Sequence, residues 1–299
     1  MTYTESNLIA TIEALAGHRL AALSQGQLDG IDQFHAGGSE AVERLLPSLA
    51  LTPGMTVLDV GSGFGGPARQ IARTTGCQVV GVDVTPAYVD AAEELTTATG
   101  LAHLVTFICA DVADVAAVDR SDFDAAYTMH VQMNVADKAA FFGAIADRVR
   151  PGARLATFEI CRSGRGDPPF PLPWSIDGLD SFVATPAHLL TTIERAGFDT
   201  VEWVDETAWI LQWFQELGVR LASAQTRASL PALLTDGPIR MMNFAGAVAD
   251  GTLTVHRGAF VRLPRRRSQA RLRSKKSAAA APTRSRTAGS ETSAGMKSS

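Results

Sequence analysis

The chain has 299 residues, 46 % of them apolar, which suits one large domain or two small ones around a sizeable core. It has no run of 18 apolar residues, so no membrane-spanning helix is expected, and its first thirty residues lack the basic start and continuous apolar stretch of a secretory signal. The net charge of −4 conceals an asymmetry: Arg265 to Ser299 carries ten Lys and Arg against one acid, Glu291, while the rest holds 17 basic and 30 acidic side chains. An acidic body argues against nucleic acid as its substrate.

Taken in chain order, residues 5 to 25 place Leu8, Ile9, Ile12, Leu15 and Leu23 at roughly helical spacing. Asp32 to Leu49 contains a Gly-Gly pair and then a second amphipathic helix with Val42, Leu45 and Leu46 on one face. Pro53-Gly54 marks a turn, after which the pattern becomes regular. "MTVLDV" reads as a buried strand, Gly65 to Thr75 as a helix, "CQVVGVD" as a strand and Pro86 to Thr99 as a helix. "LVTFICAD" and "FDAAYTMH" are strands, Asp137 to Arg150 a helix and "RLATFEI" a strand. Short apolar strands alternating with helices predict βαβ units and a parallel sheet covered on both faces. The proline-rich "GRGDPPFPLPWS" interrupts the rhythm. Pro186 to Ala196 is predicted as a helix, "TVEWVDE" as a strand, Ala208 to Arg227 and Ile239 to Ala249 as helices, and "GTLTVHRGAFVRL" as a last strand.

The tail from Arg265 on is made largely of Arg, Lys, Ser, Ala and Thr, cannot offset its ordering entropy by burial, and is expected to be disordered. Its charge suits nucleic acid or other acidic surfaces, though a solvated appendage without a dedicated partner is the favoured reading. The expected division is a helical cap over 1–50, a doubly wound α/β domain over 51–263 and a basic tail over 264–299. Cys77, Cys109 and Cys161 are far apart and in no metal spacing, which fits a reducing cytoplasm and gives no reason to expect a metal.

The motif with chemical content is "VLDVGSGFGGPARQIA", a strand that breaks into glycines and resumes as a helix. Gly61, Gly63 and Gly66 satisfy G-x-G-x-x-G, and Asp83 lies near the position of a ribose-binding acid. Dinucleotide and S-adenosylmethionine sites share this pattern. Asp59, two residues before the first glycine, separates them. A dinucleotide sets its pyrophosphate at this turn, where a nearby carboxylate repels it. The methionine end of S-adenosylmethionine carries an ammonium and a sulfonium, for which acids are favourable. Asp83 and Asp111 end successive strands, where Asp83 can accept both ribose hydroxyls and Asp111 the adenine amine.

Together with "VVGVDVTPAYVDAA", "ICADVADV", "FDAAYTMHVQMNVADKAAFF" and "RVRPGARLATFEI", this motif resembles the successive motifs of class I S-adenosylmethionine-dependent methyltransferases over residues 30 to 262. The likeness is to the small-molecule branch that includes sarcosine/dimethylglycine, tocopherol and sugar O-methyltransferases. The resemblance implies a Rossmann-like, seven-stranded, mostly parallel sheet whose last strand is antiparallel. It implies that Gly61, Gly63 and Gly65 line the methionine part of the cofactor, Asp83 holds the ribose, and Asp111 and Val112 flank the adenine.

Methyl transfer needs the nucleophile, methyl and sulfur held in line and water kept out, with a base only where the acceptor must lose a proton. His130, after the fourth strand, is the candidate catalytic residue, since a histidine titrating near neutrality suits proton work. Gln132, Met133 and Asn134 are equally placed. Phe34, His35 and Trp174 are lid candidates, and Glu159 is a candidate acceptor-binding acid. Two rival readings are a nicotinamide-dependent oxidoreductase and a non-catalytic cofactor-binding scaffold with a partner-binding tail.

Overall fold

Seven strands form one sheet in the order β3-β2-β1-β4-β5-β7-β6. They are β1 (Thr56–Val60), β2 (Gln78–Asp83), β3 (Val105–Cys109), β4 (Phe123–Met129), β5 (Val149–Arg162), β6 (Phe198–Asp205) and β7 (Leu253–Arg262). The pairs among the first five are parallel, and β7 runs antiparallel to both β5 and β6. The strand order reverses between β1 and β4, the switch point at which open α/β sheets bind ligands across their carboxyl ends. The computed structural model describes residues 8–28, 31–114, 117–118, 120–223 and 233–264. The basic tail therefore lies outside the described residues.

The helices are α1 (Leu8–Ala16), α2 (Gln25–Leu28), α3 (Gly38–Leu49), α4 (Gly66–Thr75), α5 (Pro86–Ala98), α6 (Lys138–Arg148), α7 (Pro186–Arg195), α8 (Thr207–Ala222) and α9 (Gly237–Ala249). Successive strand residues point to opposite faces, so β1 feeds two cores. Val57 joins Val42, Leu45, Ile71, Phe158 and Phe244 on the side of α3, α4 and α9. Leu58 joins Phe142, Ile145, Leu189 and Ile193 on the side of α6 and α7. A third cluster ties Leu8, Ile12 and Leu28 to Tyr88 and Leu95 of α5. Residues up to Pro264 form one compact unit, so the predicted helical cap is packed onto the sheet domain rather than set apart from it.

Among the boundaries that differ from expectation, three have a local cause. The helix predicted over 5–25 ends at Ala16, where Gly17 turns at φ +70°. The helix predicted to Arg150 ends at Arg148, because Val149 already pairs with Phe123 as the start of β5. The strand predicted from Thr200 starts at Phe198, which pairs with Arg262.

Candidate active site

The turn after β1 is built from left-handed backbone that only glycine adopts cheaply. Gly61 has φ +79°, its N–H donates to the Val82 carbonyl at 2.8 Å, and a Cβ there would collide with the Val131 side chain. Gly63 has φ +52°, and the nearest atom a Cβ would meet is Phe34 Cβ at 3.9 Å. Gly65 differs from these two. It is the left-handed residue before α4, and a Cβ there would run into the Phe107 ring and the Arg69 guanidinium. Gly65 thus serves close packing between the loop and β3, and it is not among the residues that line the cleft.

That cleft, of about 470 Å³, lies over the carboxyl ends of β1, β2 and β4. Asp59, Gly61, Gly63, Asp83, Asp111, Val112 and His130 all line it. Asp83 is half-buried at the end of β2, with Oδ2 accepting from Gly63 N and Oδ1 from Thr85 N, each at 2.9 Å. Burial pushes its carboxyl up, and these backbone donors pull it back. Asp111 is exposed and accepts from Ala113 N at 2.8 Å, beside the buried Val112. Asp59 is 2 % exposed, and burial raises its carboxyl to about 7; the neighbouring Tyr127 hydroxyl lowers it and Asp83 raises it further.

His130 follows β4 in the left-handed region, at φ +54°, its own N–H donating to the Phe158 carbonyl at 2.9 Å. This unusual backbone turns the ring into the interior, stacked on Phe158 at 5.7 Å and edge-on to Phe244 at 6.2 Å. Its Nδ1 accepts the Ala36 N–H at 3.3 Å, which puts the proton of the neutral ring on Nε2. Burial, then the adjacent His35, holds its pKa well below 6.5. His35 is likewise held down, to about 4, by burial.

The remaining candidates divide. Phe34, His35 and Asn134 line the cleft, whereas Gln132, Met133, Trp174 and Glu159 do not. Trp174 is buried, edge-on to Phe244 at 5.5 Å, with its indole N–H bonded to Ser181 Oγ at 2.9 Å. Glu159 is fully buried and accepts from Thr128 Oγ1 at 3.1 Å, Val131 N at 3.0 Å and Gln132 N at 3.2 Å. It fastens the turn that carries His130 and is not among the residues that line the cleft. Burial raises its carboxyl to about 7 against these donors.

Sequence reasoning missed a buried ion pair. Arg69 of α4 meets Asp32 at 2.8 Å with both side chains fully buried, and also donates to the Phe64 carbonyl at 2.7 Å and Thr96 Oγ1 at 2.9 Å. It anchors the segment carrying Phe34 and His35 to the start of α4. Asp32 to Phe34 precede the Gly-Gly pair, but nothing in their spacing announces a partner 37 residues away.

The cleft wall carries four carboxylates, Asp59, Asp83, Asp111 and Asp137, and among the described residues that line it there is no Lys or Arg. Three buried polar atoms of lining residues, Asp59 Oδ2, Ser62 Oγ and His130 Nε2, have no partner among the described residues. A ligand rich in hydrogen-bond donors and carrying positive charge fits these walls, and a pyrophosphate does not. S-adenosylmethionine, with its ammonium, sulfonium, ribose hydroxyls and adenine amine, has this character. Among the described residues no group of three or more His, Cys, Asp or Glu is placed to hold a metal.

Comparisons agree with this chemistry. A family model described as a methyltransferase domain matches residues 58–157. The chain is 28 % identical over 214 residues to methyltransferase GfsG of Streptomyces halstedii, covering 68 % of each protein. It is 29 % identical over 162 residues to sterol 24-C-methyltransferase erg6 of Aspergillus fumigatus, covering 52 % of this chain and 42 % of that one, less than half the relative's length. A solved structure of geranyl diphosphate methyltransferase in complex with SAM superposes with a TM-score of 0.61 at 21 % identity, over 75 % of this chain and 85 % of that one. None of these three is a nicotinamide-dependent oxidoreductase. The chain thus carries a stretch, residues 58–157, that matches a methyltransferase domain, is similar over about two thirds of its length to a methyltransferase, and shares the fold of solved methyltransferase structures.

Proposed function

We propose that the cleft holds S-adenosylmethionine with its ribose on Asp83, its adenine between Asp111 and Val112, and its methionine end at Asp59, Gly61 and Gly63. The observation that carries this reading is the set of carboxylates at the ends of β1, β2 and β3 on a wall without a basic side chain. When bound, the cofactor supplies an electrophilic methyl on a cationic sulfur. The protein's part is to orient, to exclude water and to place hydrogen bonds.

His130 is the residue assigned to the acceptor. It acts as a neutral donor through Nε2–H, since its Nδ1 lone pair is engaged by Ala36. It therefore positions an acceptor oxygen or nitrogen and removes no proton. The apolar rings of Phe158 and Phe244 around it keep water from the reacting atoms. The acceptor is a small molecule, methylated on N, O or C, and the three cysteines, all free, support a cytoplasmic setting. Incubation with methyl-labelled S-adenosylmethionine and a fractionated metabolite extract tests the activity. Label in a small-molecule fraction is expected. Absence of transfer by protein that binds S-adenosylhomocysteine would leave a cofactor-binding scaffold.

A further inference from the structure

A second cavity, of about 670 Å³, adjoins the cleft and carries the opposite charge. The two share Ala136 and Asp137. Lys138, Arg162, His188 and Arg195 line the second cavity against one carboxylate, Asp137, which is engaged in capping α6 through Ala140 N at 2.9 Å. Among the described residues no carboxylate lies within ion-pairing distance of Lys138, Arg162 or Arg195, and neither arginine makes a side-chain hydrogen bond. The chain before Arg265 holds 17 basic and 30 acidic side chains, so acids to pair them are plentiful elsewhere. These cations are gathered in one cavity and left unpaired there.

Lys138 is the buried member of the group. It is 6 % exposed, and its ammonium donates to the Val135 carbonyl at 2.8 Å and to the Phe182 carbonyl. An ammonium has three N–H bonds, so one is without a partner among the described residues. A buried charge with an unused donor is unfavourable unless an anion completes it. Arg162 ends β5, and its N–H donates to the Ala184 carbonyl at 2.9 Å, one residue before the N-cap of α7, Thr185. Lys138 and Arg162 thereby stand beside the start of α7, where the helix dipole is positive. His188, Thr192 and Arg195 follow at i, i+4 and i+7 on one face of that helix, so the cavity runs about 10 Å along it.

We propose that this cavity binds a phosphate monoester, at a site separate from the cofactor cleft. The phosphate lies between Lys138 and Arg162 at the start of α7, and the rest of the molecule runs past Thr192 toward Arg195. A phosphate monoester carries a charge of about −1.5 to −2 at neutral pH and three strong acceptor oxygens, enough to engage both cations. A carboxylate has one charge and leaves one of them uncompensated. The planar fork of a guanidinium matches phosphate oxygens, and an ammonium serves as a point charge beside it. The volume falls within the range of small-molecule sites, roughly 300–1,000 Å³.

The test is calorimetry on the full chain in phosphate-free buffer, with glucose 6-phosphate, gluconate and glucose as probes. These are similar in size and carry about two, one and no negative charges. The wild type is expected to bind glucose 6-phosphate at least tenfold more tightly than gluconate, and glucose least. Arg162→Gln should weaken glucose 6-phosphate at least tenfold. Arg73→Gln makes the same change of charge at an exposed position in the last turn of α4, outside the cavity, and should leave the affinity unchanged. Arg162 is exposed and unpaired, so Arg162→Gln should melt at the wild-type temperature without a probe. No binding of glucose 6-phosphate, gluconate bound as tightly, or an equal loss in both variants would overturn the inference. So would affinity that survives in Arg162→Gln, which would place the anion on other basic groups of the chain, or a lower melting temperature in that variant.

Discussion

The Ala36 amide donates to Nδ1 of His130 at 3.3 Å, a bond between residues 94 apart in sequence. It sets the tautomer of His130, because a neutral imidazole that accepts at Nδ1 must carry its proton on Nε2. In the proposed function the same bond leaves His130 a donor rather than a base.

His130→Ala should lower turnover by about tenfold, the value of one lost hydrogen bond of roughly 1.4 kcal/mol. A lost general base would cost ~10²–10⁴-fold. Cofactor affinity should be nearly unchanged. The ring is neutral throughout the neutral range because burial holds its pKa well below 6.5. Wild type and variant should therefore share one pH–rate profile. Initial rates across pH decide this: an acidic limb near pH 6.5 in the wild type, missing from the variant, would show that His130 titrates after all.

Glu159 clasps the turn after β4 with three accepted hydrogen bonds. Its folded pKa of about 7 lies above the ordinary 4.5, so the folded state holds its proton longer than the unfolded chain does. Its contribution to stability is favourable below about pH 4.5 and is lost as pH rises through 7, by up to about 3 kcal/mol. Glu159→Gln keeps the acceptor oxygen for Val131 and Gln132 and turns its NH₂ to Thr128 Oγ1. Relative to wild type it should gain stability as pH rises from 4.5 to 8. Glu159→Ala leaves two buried N–H groups without an acceptor and should cost about 1–3 kcal/mol for each. Denaturant titrations at several pH values separate the two variants, and a pH-independent difference for the Gln variant would refute the assignment.

Asp59, raised to about 7 by burial, should ionise when the cationic methionine end of the ligand arrives. Affinity for S-adenosylhomocysteine should rise with pH through about 7, with proton release on binding. Asp59→Asn should flatten that slope. Calorimetry in buffers of different ionisation heat reads the proton count directly. A slope that persists in the Asn variant would place the titrating group elsewhere.

Removing Arg265 to Ser299 should leave the melting temperature and S-adenosylhomocysteine affinity intact, since that stretch has too few large apolar side chains to complete a core. Loss of the folded state on truncation would contradict this.

The strand-helix rhythm, the glycine turn and the strand-end aspartates were legible because each depends on neighbours in sequence: apolar spacing, φ-permissive glycines, an acid where a strand stops. Gly65 shows where local reading ends. Three alternate glycines look alike, yet the third is small to admit Phe107 from β3, a contact set by tertiary packing. The neutrality of His130 was hidden for the same reason, since its burial comes from β5, α9 and His35. Glu159 read as a ligand-facing acid because it sits near a strand end. The N–H groups it satisfies belong to a turn 28 and 27 residues earlier, which spacing does not reveal.

Calorimetric titration of wild type and Asp83→Ala with S-adenosylhomocysteine, with NAD as control, tests the role of the strand-end carboxylates most directly. Asp83 spends one acceptor site on Gly63 and one on Thr85, leaving lone pairs for a ribose. The wild type should bind S-adenosylhomocysteine and not NAD, and Asp83→Ala, still folded, should lose about 1–3 kcal/mol of that affinity. Binding of NAD without S-adenosylhomocysteine, or unchanged affinity in the folded variant, would contradict the assignment of this cleft.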